Sequence, residues 1–432
     1  MRKTLLAALL SGAFLALGAQ AADLQQIYND ARLNDPQYAS ARAANAAGQE
    51  KLPQGRAGLL PTLGLSGSNT RNEIDNGGNF TASNYALTLS QPLLRWANWQ
   101  QYEQSKLLVA ASDAQFSQAQ QDLIVRVAQA YFDILGAQDS LTFIQAQKVA
   151  ITEQLASAKR NFEVGTATIT DTHEAQARFD LAVAQEFAAQ NDLAIKRASL
   201  EQIIGKPPAE LATLRPGLTL SMPEPARLEP WLDSAQQQNY AVVGQQLALE
   251  IARREISRNR AGHYPSVDLV ASRSHAKQPG SAFGNPIVAS NSNAIGVQWN
   301  IPLFAGFAVT SRVREAIALE DQARNDLETV RRNAMQNVRQ SFLGVSSGLA
   351  QVKALEAAEI SSQSALDSNK LGYQVGVRVN IDILNAQQQL FSTRRDLAKA
   401  RYDTITNGLK LKAAAGTLTE QDLQQVNALL QQ

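Results

Sequence analysis

The residues of this chain that could do chemistry are few, and they do not cluster. His173, His263 and His275 are the only histidines, they lie far apart, and there is no cysteine. A soft metal site draws on grouped His and Cys ligands, so each histidine reads as a solvated or packing side chain. No glycine-rich phosphate loop and no nucleophile–base set stands out. No metal, cofactor or catalytic centre is therefore expected. A formal net charge of +1 gives no basic footprint for nucleic acid. Two carboxylates do recur in one setting: Asp171 follows Gly165, and Asp382 follows Gly376. The elements around them decide what they can do.

The first residues, 1–21, look like an export leader. Arg2 and Lys3 precede an apolar run from Leu5 to Leu17, and Ala19-Gln20-Ala21 has the small-x-small form of a cleavage site. That puts the mature start at Ala22. The run is shorter than the roughly 20 residues of a spanning helix. Without cysteine, an exported chain folds without disulfides and has no cysteine to carry a lipid. No later apolar stretch reaches spanning length, so any membrane contact would use surface helices or β-strands.

Proline maps the rest. It is absent from Leu93 to Lys206 and from Leu303 to Gln432. Proline costs about 3 kcal/mol inside a helix, so these tracts, rich in Ala, Gln, Leu, Glu and Arg, predict long helices. The first tract predicts helices from Trp96 to about Asn161 and from about Thr170 to Ile204, broken at Phe162-Glu163-Val164-Gly165-Thr166. The second predicts helices from about Val309 to Lys370 and from about Ile381 to Ala414, broken at Tyr373-Gln374-Val375-Gly376. The first helix would be roughly 100 Å long. Stripes such as Val125, Ala128, Phe132 and Leu135 call for partner helices. An antiparallel coiled coil without a pore fits that pattern too.

Ahead of each tract lie two alternating segments, about 61–71 and 84–93, then about 265–275 and 293–303. Strict alternation reads as strands with one apolar face. The polar stretches from Asn72 to Ser83 and from Ala276 to Asn293 read as loops. A soluble hairpin packed on the helices accounts for these strands as well as a membrane sheet does.

An internal repeat ties the parts together. Arg56-Ala57-Gly58-Leu59-Leu60-Pro61 is echoed by Arg260-Ala261-Gly262-His263-Tyr264-Pro265, and Gln91-Pro92-Leu93-Leu94 by Ile301-Pro302-Leu303-Phe304. Phe162-x-Val164-Gly165, Asp171 and Ala175-Gln176 match Tyr373-x-Val375-Gly376, Asp382 and Ala386-Gln387 at one offset, 211 residues. The chain then divides into a first repeat, 22–204, a proline-rich connector, 205–238, a second repeat, 239–414, and a C-terminal segment, 415–432. The last predicts a short helix from near Thr419, with Glu420 and Asp422 in its first turn. Connector and C-terminal segment are expected to form a side belt.

Several pieces now carry a resemblance: Arg56 to Leu65, Ala261 to Leu269, Val164-Gly165-Thr166 with Ile169-Thr170-Asp171, Tyr373-x-Val375-Gly376 with Ile381-Asp382, and Ala414-Ala415-Gly416-Thr417-Leu418. Each is weak alone; their order, spacing and duplication are specific. The chain resembles the TolC and outer-membrane efflux protein family over nearly all of 22–432, in its non-lipidated branch. The resemblance implies a mainly α fold with a small β part, and a homotrimer whose four strands per chain close a twelve-stranded barrel. Elementary physics agrees, since single-chain barrels start at about 8 strands and open edges in lipid leave backbone groups unpaired. The family implies a passive channel-tunnel in the cell outer membrane with a large periplasmic part. An inner-membrane ABC or proton-driven transporter and a periplasmic adaptor would open it for type I protein secretion or multidrug efflux.

The resemblance also implies a shutter at the helix turns farthest from the membrane. Asp382 would line the narrowest ring. Tyr373 would bond with Asp171 on the facing hairpin, and Arg378 would reach the neighbourhood of Thr170 on the next protomer. Val164, Gly165 and Thr166, with Val375 and Gly376, would be the tips that meet the adaptor. A ring of carboxylates attracts cations. The family pattern has a second acid one turn after Asp382, where this chain has Asn385. The position 211 residues earlier is Glu174, expected to restore part of that charge, although a solvated helix carboxylate is the plainer account. A periplasmic adaptor is the alternative function. It too has long hairpins, but it has no need of four membrane-length strands.

Overall fold

The structure, a computed structural model, describes residues 21–74, 78–278 and 288–431. The expected leader lies outside the described residues apart from Ala21. The helices are α1 (Leu24–Asn34), α2 (Pro36–Gln49), α3 (Lys51–Ala57), α4 (Trp96–Glu163), α5 (Ile169–Ile204), α6 (Leu228–Gln238), α7 (Tyr240–Arg260), α8 (Ala308–Gln374), α9 (Asn380–Ala415) and α10 (Glu420–Asn427). The strands are β1 (Thr62–Ile74), β2 (Gly78–Leu94), β3 (Ser266–Gln278) and β4 (Val288–Asn300). The fold is mainly α with one small sheet, in two repeats of strand, strand and long helical hairpin. Contacts divide the described residues into two compact units, those within 1–41, 117–239 and 332–432, and those within 42–116 and 240–331.

The second unit holds the sheet. Its order is β1-β2-β3-β4, antiparallel throughout. Residues directly opposite in a ladder share a face. Leu63 faces Leu89, Leu65 faces Leu87, Leu269 faces Val297, and Val267 faces Trp299. That face is bare: Leu65 is 77% exposed, Ile295 78% and Trp299 69%. The opposite face carries small and polar residues, with Thr88 opposite Ser272 and Ser274 opposite Ser292.

The strands are longer than the alternation suggested. The ladders run on through parts of both expected loops, to Ile74 and from Gly78, then to Gln278 and from Val288. Polar side chains there stay in register, with Ser274 Oγ and Ser292 Oγ 2.7 Å apart and His275 Nδ1 2.7 Å from Asn291 Oδ1. The loop centres, 75–77 and 279–287, lie outside the described residues. β4 stops at Asn300 rather than near 303, because its partner β3 begins only at Ser266, just after Pro265. At the foot of β2, Arg95 grips Asp268 of β3, Nε to Oδ1 at 2.8 Å and Nη2 to Oδ2 at 2.6 Å.

The first unit holds the helical turns, the connector and the C-terminal segment. α4 buries a wider side here than the stripe suggested. Leu123, Ile124, Val127, Tyr131 and Ile134 join Ala128, Phe132 and Leu135, whereas Val125 is half-buried. The cause is cover from two directions. Tyr131 Oη bonds the carbonyls of Ala22 and Ala212, at 3.1 and 2.8 Å, and Phe132 stacks on Tyr402 of α9. Tyr402 Oη donates to Asp139 Oδ2 at 2.6 Å, and burial pushes both groups above their ordinary pKa.

The connector and the C-terminal segment do pair. Arg215 N donates to Leu429 O at 3.0 Å, and Gln431 N to Thr213 O at 2.8 Å. Trp231 and Ala235 of α6 pack on Val338, Leu411 and Ala415. α9 ends at Gly416, whose φ of 79° suits glycine. An added Cβ there would stand 2.3 Å from Gln238 O. α10 begins as expected, with Asp422 Oδ2 accepting from Thr419 N at 2.8 Å and from Thr419 Oγ1 at 2.9 Å.

Candidate gate at the helical turns

The two long hairpins reverse with the same backbone. In the first, Gly165 N donates to Phe162 O at 3.0 Å and Thr166 N to Asn161 O at 2.8 Å. In the second, Gly376 N donates to Tyr373 O at 3.1 Å and Val377 N to Gly372 O at 2.9 Å. This nested pair closes a helix onto a left-handed glycine, and Gly165 and Gly376 have φ of 75° and 79°. α8 reaches Gln374 rather than stopping near Lys370, because the helix leaves its path only at Gly376. Val164, Val375, Val377 and Val379 are all exposed around the turns, and Thr166 Oγ1 donates back to Asn161 O at 3.1 Å. The tips are therefore small, apolar and open, and the space beside both glycines is empty.

The helices restart differently. α5 opens with a full capping box: Asp171 N donates to Thr168 Oγ1 at 3.3 Å, and Asp171 Oδ2 accepts from Thr168 N at 3.0 Å and from Thr168 Oγ1 at 2.9 Å. α9 opens on Val379, which has no side-chain acceptor, so only the return half forms, Val379 N to Asp382 Oδ2 at 3.4 Å. Both carboxylates sit at the third helical position, where the helix dipole favours negative charge.

Tyr373 crosses to the facing hairpin, but to a different residue than expected. Its hydroxyl accepts from Asn161 Nδ2 at 2.9 Å, while Asp171 is committed to Thr168. Arg378 turns toward its own chain, with Nη1 3.7 Å from Asp382 Oδ2. Thr170 is exposed and Glu174 half-buried, and neither makes a side-chain hydrogen bond among the described residues. Gln154 of α4 bonds Asn380 of α9. Beneath these contacts lies an apolar seam of Ile151, Leu155, Ala158, Ala175, Ala182 and Leu384, flanked by Phe179 and Ile381.

Asn385 is held by a residue the sequence reading missed. Arg178 of α5 donates through Nη2 to Asn385 Oδ1 at 3.0 Å and through Nη1 to Gln388 Oε1 at 2.5 Å. The available signal was spacing: Arg178 stands four residues after Glu174 and seven after Asp171, on the same helix face. Its partners, more than two hundred residues away, gave no such signal.

Comparison with known proteins agrees with this architecture. The family model described as Outer membrane efflux protein matches residues 27–206 and 231–417. The outer membrane protein TolC of Vibrio cholerae is 34% identical over 416 residues, 96% of this chain and 95% of that protein. The alkaline protease secretion protein AprF of Pseudomonas aeruginosa is 34% identical over 435 residues, 97% of this chain and 90% of that protein. The crystal structure of the Campylobacter jejuni CmeC outer membrane channel shares the fold with a TM-score of 0.80 at 16% identity, over 94% of this chain and 90% of that one. Family match, identity and fold together show that this chain belongs to the outer membrane efflux protein family.

Proposed function

We propose that three copies of this chain form an export duct in the cell outer membrane, with the long hairpins as its periplasmic tunnel. One observation carries the reading. The four-stranded sheet has an exposed apolar face, a polar face, and edge strands β1 and β4 that pair with no other described strand. Such a sheet is unstable in lipid until its edges close. Four strands cannot close on themselves, whereas three copies supply twelve. The apolar face meets lipid and the polar face lines water.

The duct is passive, and an inner-membrane transporter with a periplasmic adaptor supplies the energy. AprF is named for protease secretion, which supports type I protein secretion as one use; multidrug efflux is the other. Val164, Gly165, Thr166, Val375 and Gly376 form the tips that the adaptor hairpin meets. Asp382 and Asn385 line the entrance, with Asp171, Glu174 and Tyr373 beside them. Arg378 exchanges its contact with Asp382 for Thr170 of the next protomer when the gate shuts. The test is membrane fractionation followed by planar-bilayer recording. The protein is expected in the outer membrane fraction and to form discrete cation-preferring channels. Recovery from the periplasmic fluid, with no channel activity, would favour a soluble adaptor instead.

A further inference from the structure

We propose that Arg178 is a positioning residue of the gate, a clasp that fixes the inner hairpin α8–α9 onto the outer hairpin α4–α5. The inference rests on the duct reading above. One guanidinium holds Gln388 Oε1 at 2.5 Å and Asn385 Oδ1 at 3.0 Å. The two acceptors stand three residues apart on α9, nearly one turn. A planar fork bound at two such points fixes the rotation of α9 about its own axis as well as its distance from α5. A single hydrogen bond fixes only the distance. The seam beneath, from Ile151 to Leu384, is apolar and imposes no comparable directional constraint.

The clasp belongs to this chain's asymmetry. The residue 211 positions after Arg178 is Gln389, which carries no charge. Three hydrogen-bonded side-chain contacts cross between the hairpins at this end among the described residues: Asn161 to Tyr373, Gln154 to Asn380, and the Arg178 fork. Only the fork has a charged donor. Its acceptors are amides, so it needs no carboxylate. Asn385, the residue that departs from the family's acidic pattern, thereby gains a use: it accepts from Arg178. Turning α9 outward must break both bonds together.

The test is single-channel recording of the full-length protein in planar bilayers. Arg178→Gln removes the fork and is expected to raise closed-state conductance roughly tenfold, the factor carried by a charge-assisted hydrogen bond. Adding Gln388→Arg swaps donor and acceptor across the same gap and, with one of the two bonds restored, is expected to reverse the rise in part, as Arg178→Lys does. A residue that merely stiffens α5 would show no such rescue. Arg178→Lys keeps the charge but reaches only one acceptor, so it should fall between. Unchanged conductance in Arg178→Gln, or a rise that Gln388→Arg does not reduce, overturns the clasp and leaves the duct intact. A wild type that never conducts overturns the duct reading and the clasp with it.

Discussion

Replacing Arg95 by alanine is expected to loosen the sheet from the helix that follows it. Arg95 sits between β2 and α4, and Asp268 in β3 of the other repeat, so their ion pair ties the two repeats together within the second unit. The Asp268 side chain is 12% exposed and that of Arg95 44%. Stripping one partner from a buried pair costs about 3–5 kcal/mol, because the other charge stays desolvated. Water already reaches the guanidinium and would reach the orphaned carboxylate, so the cost should fall to about 2–3 kcal/mol. Arg95→Lys forfeits one of the two parallel bonds and should cost about 1 kcal/mol. Asp268→Ala added to Arg95→Ala removes the orphan and should recover about half of the loss. Urea unfolding of the detergent-solubilised protein measures this through tryptophan fluorescence. Trp96 adjoins Arg95, and Trp299 is paired with Val267. A cost below about 0.5 kcal/mol for Arg95→Ala would put the pair among ordinary surface ion pairs and refute the reasoning.

Other expectations follow from the same geometry. Gly416→Ala should cost more than about 3 kcal/mol, since its Cβ would strike the Gln238 carbonyl as well as sit at positive φ; Gly165→Ala meets open space and should cost only about 1 kcal/mol, both read as thermal midpoints. Burial raises the pKa of Asp139 against the opposing bond from Tyr402, so its ionisation on the folded chain opposes folding. Stability should fall as pH rises from the ordinary carboxylate range to the raised value, and Asp139→Asn, which still accepts from Tyr402, should lack that fall and be at least as stable at neutral pH. Asp422 goes the other way. Burial raises its pKa, but the bonds from Lys412 and Thr419 outweigh it and leave it lowered. Its contribution is present above the ordinary carboxylate range and lost as pH drops through the lowered value. Asp422→Asn should cost about 1 kcal/mol at neutral pH and flatten the acid limb of a pH–stability curve.

The long helices were legible because their cause is local. Proline-free tracts and a glycine at each reversal sit within or beside the feature they produce. Strand ends were less legible. Residues such as Asn72 and Ser292 look like loop on polarity alone, yet in a sheet with one polar face they continue the ladder at no cost to burial. Tyr373 was expected on Asp171 through family resemblance; the capping box claims that carboxylate and leaves Asn161 as the partner. Arg178 was legible only as a neighbour of Glu174 and Asp171 on one helix face. Its role depends on two amides in the other repeat, and only the packing of α5 against α9 brings them within reach.

The most direct test of the trimeric duct is the mass of the protein solubilised from membranes, with the detergent contribution removed by multi-angle light scattering. The account expects a single species of three chains that precipitates when detergent is withdrawn. A monodisperse monomer that stays soluble without detergent would contradict it.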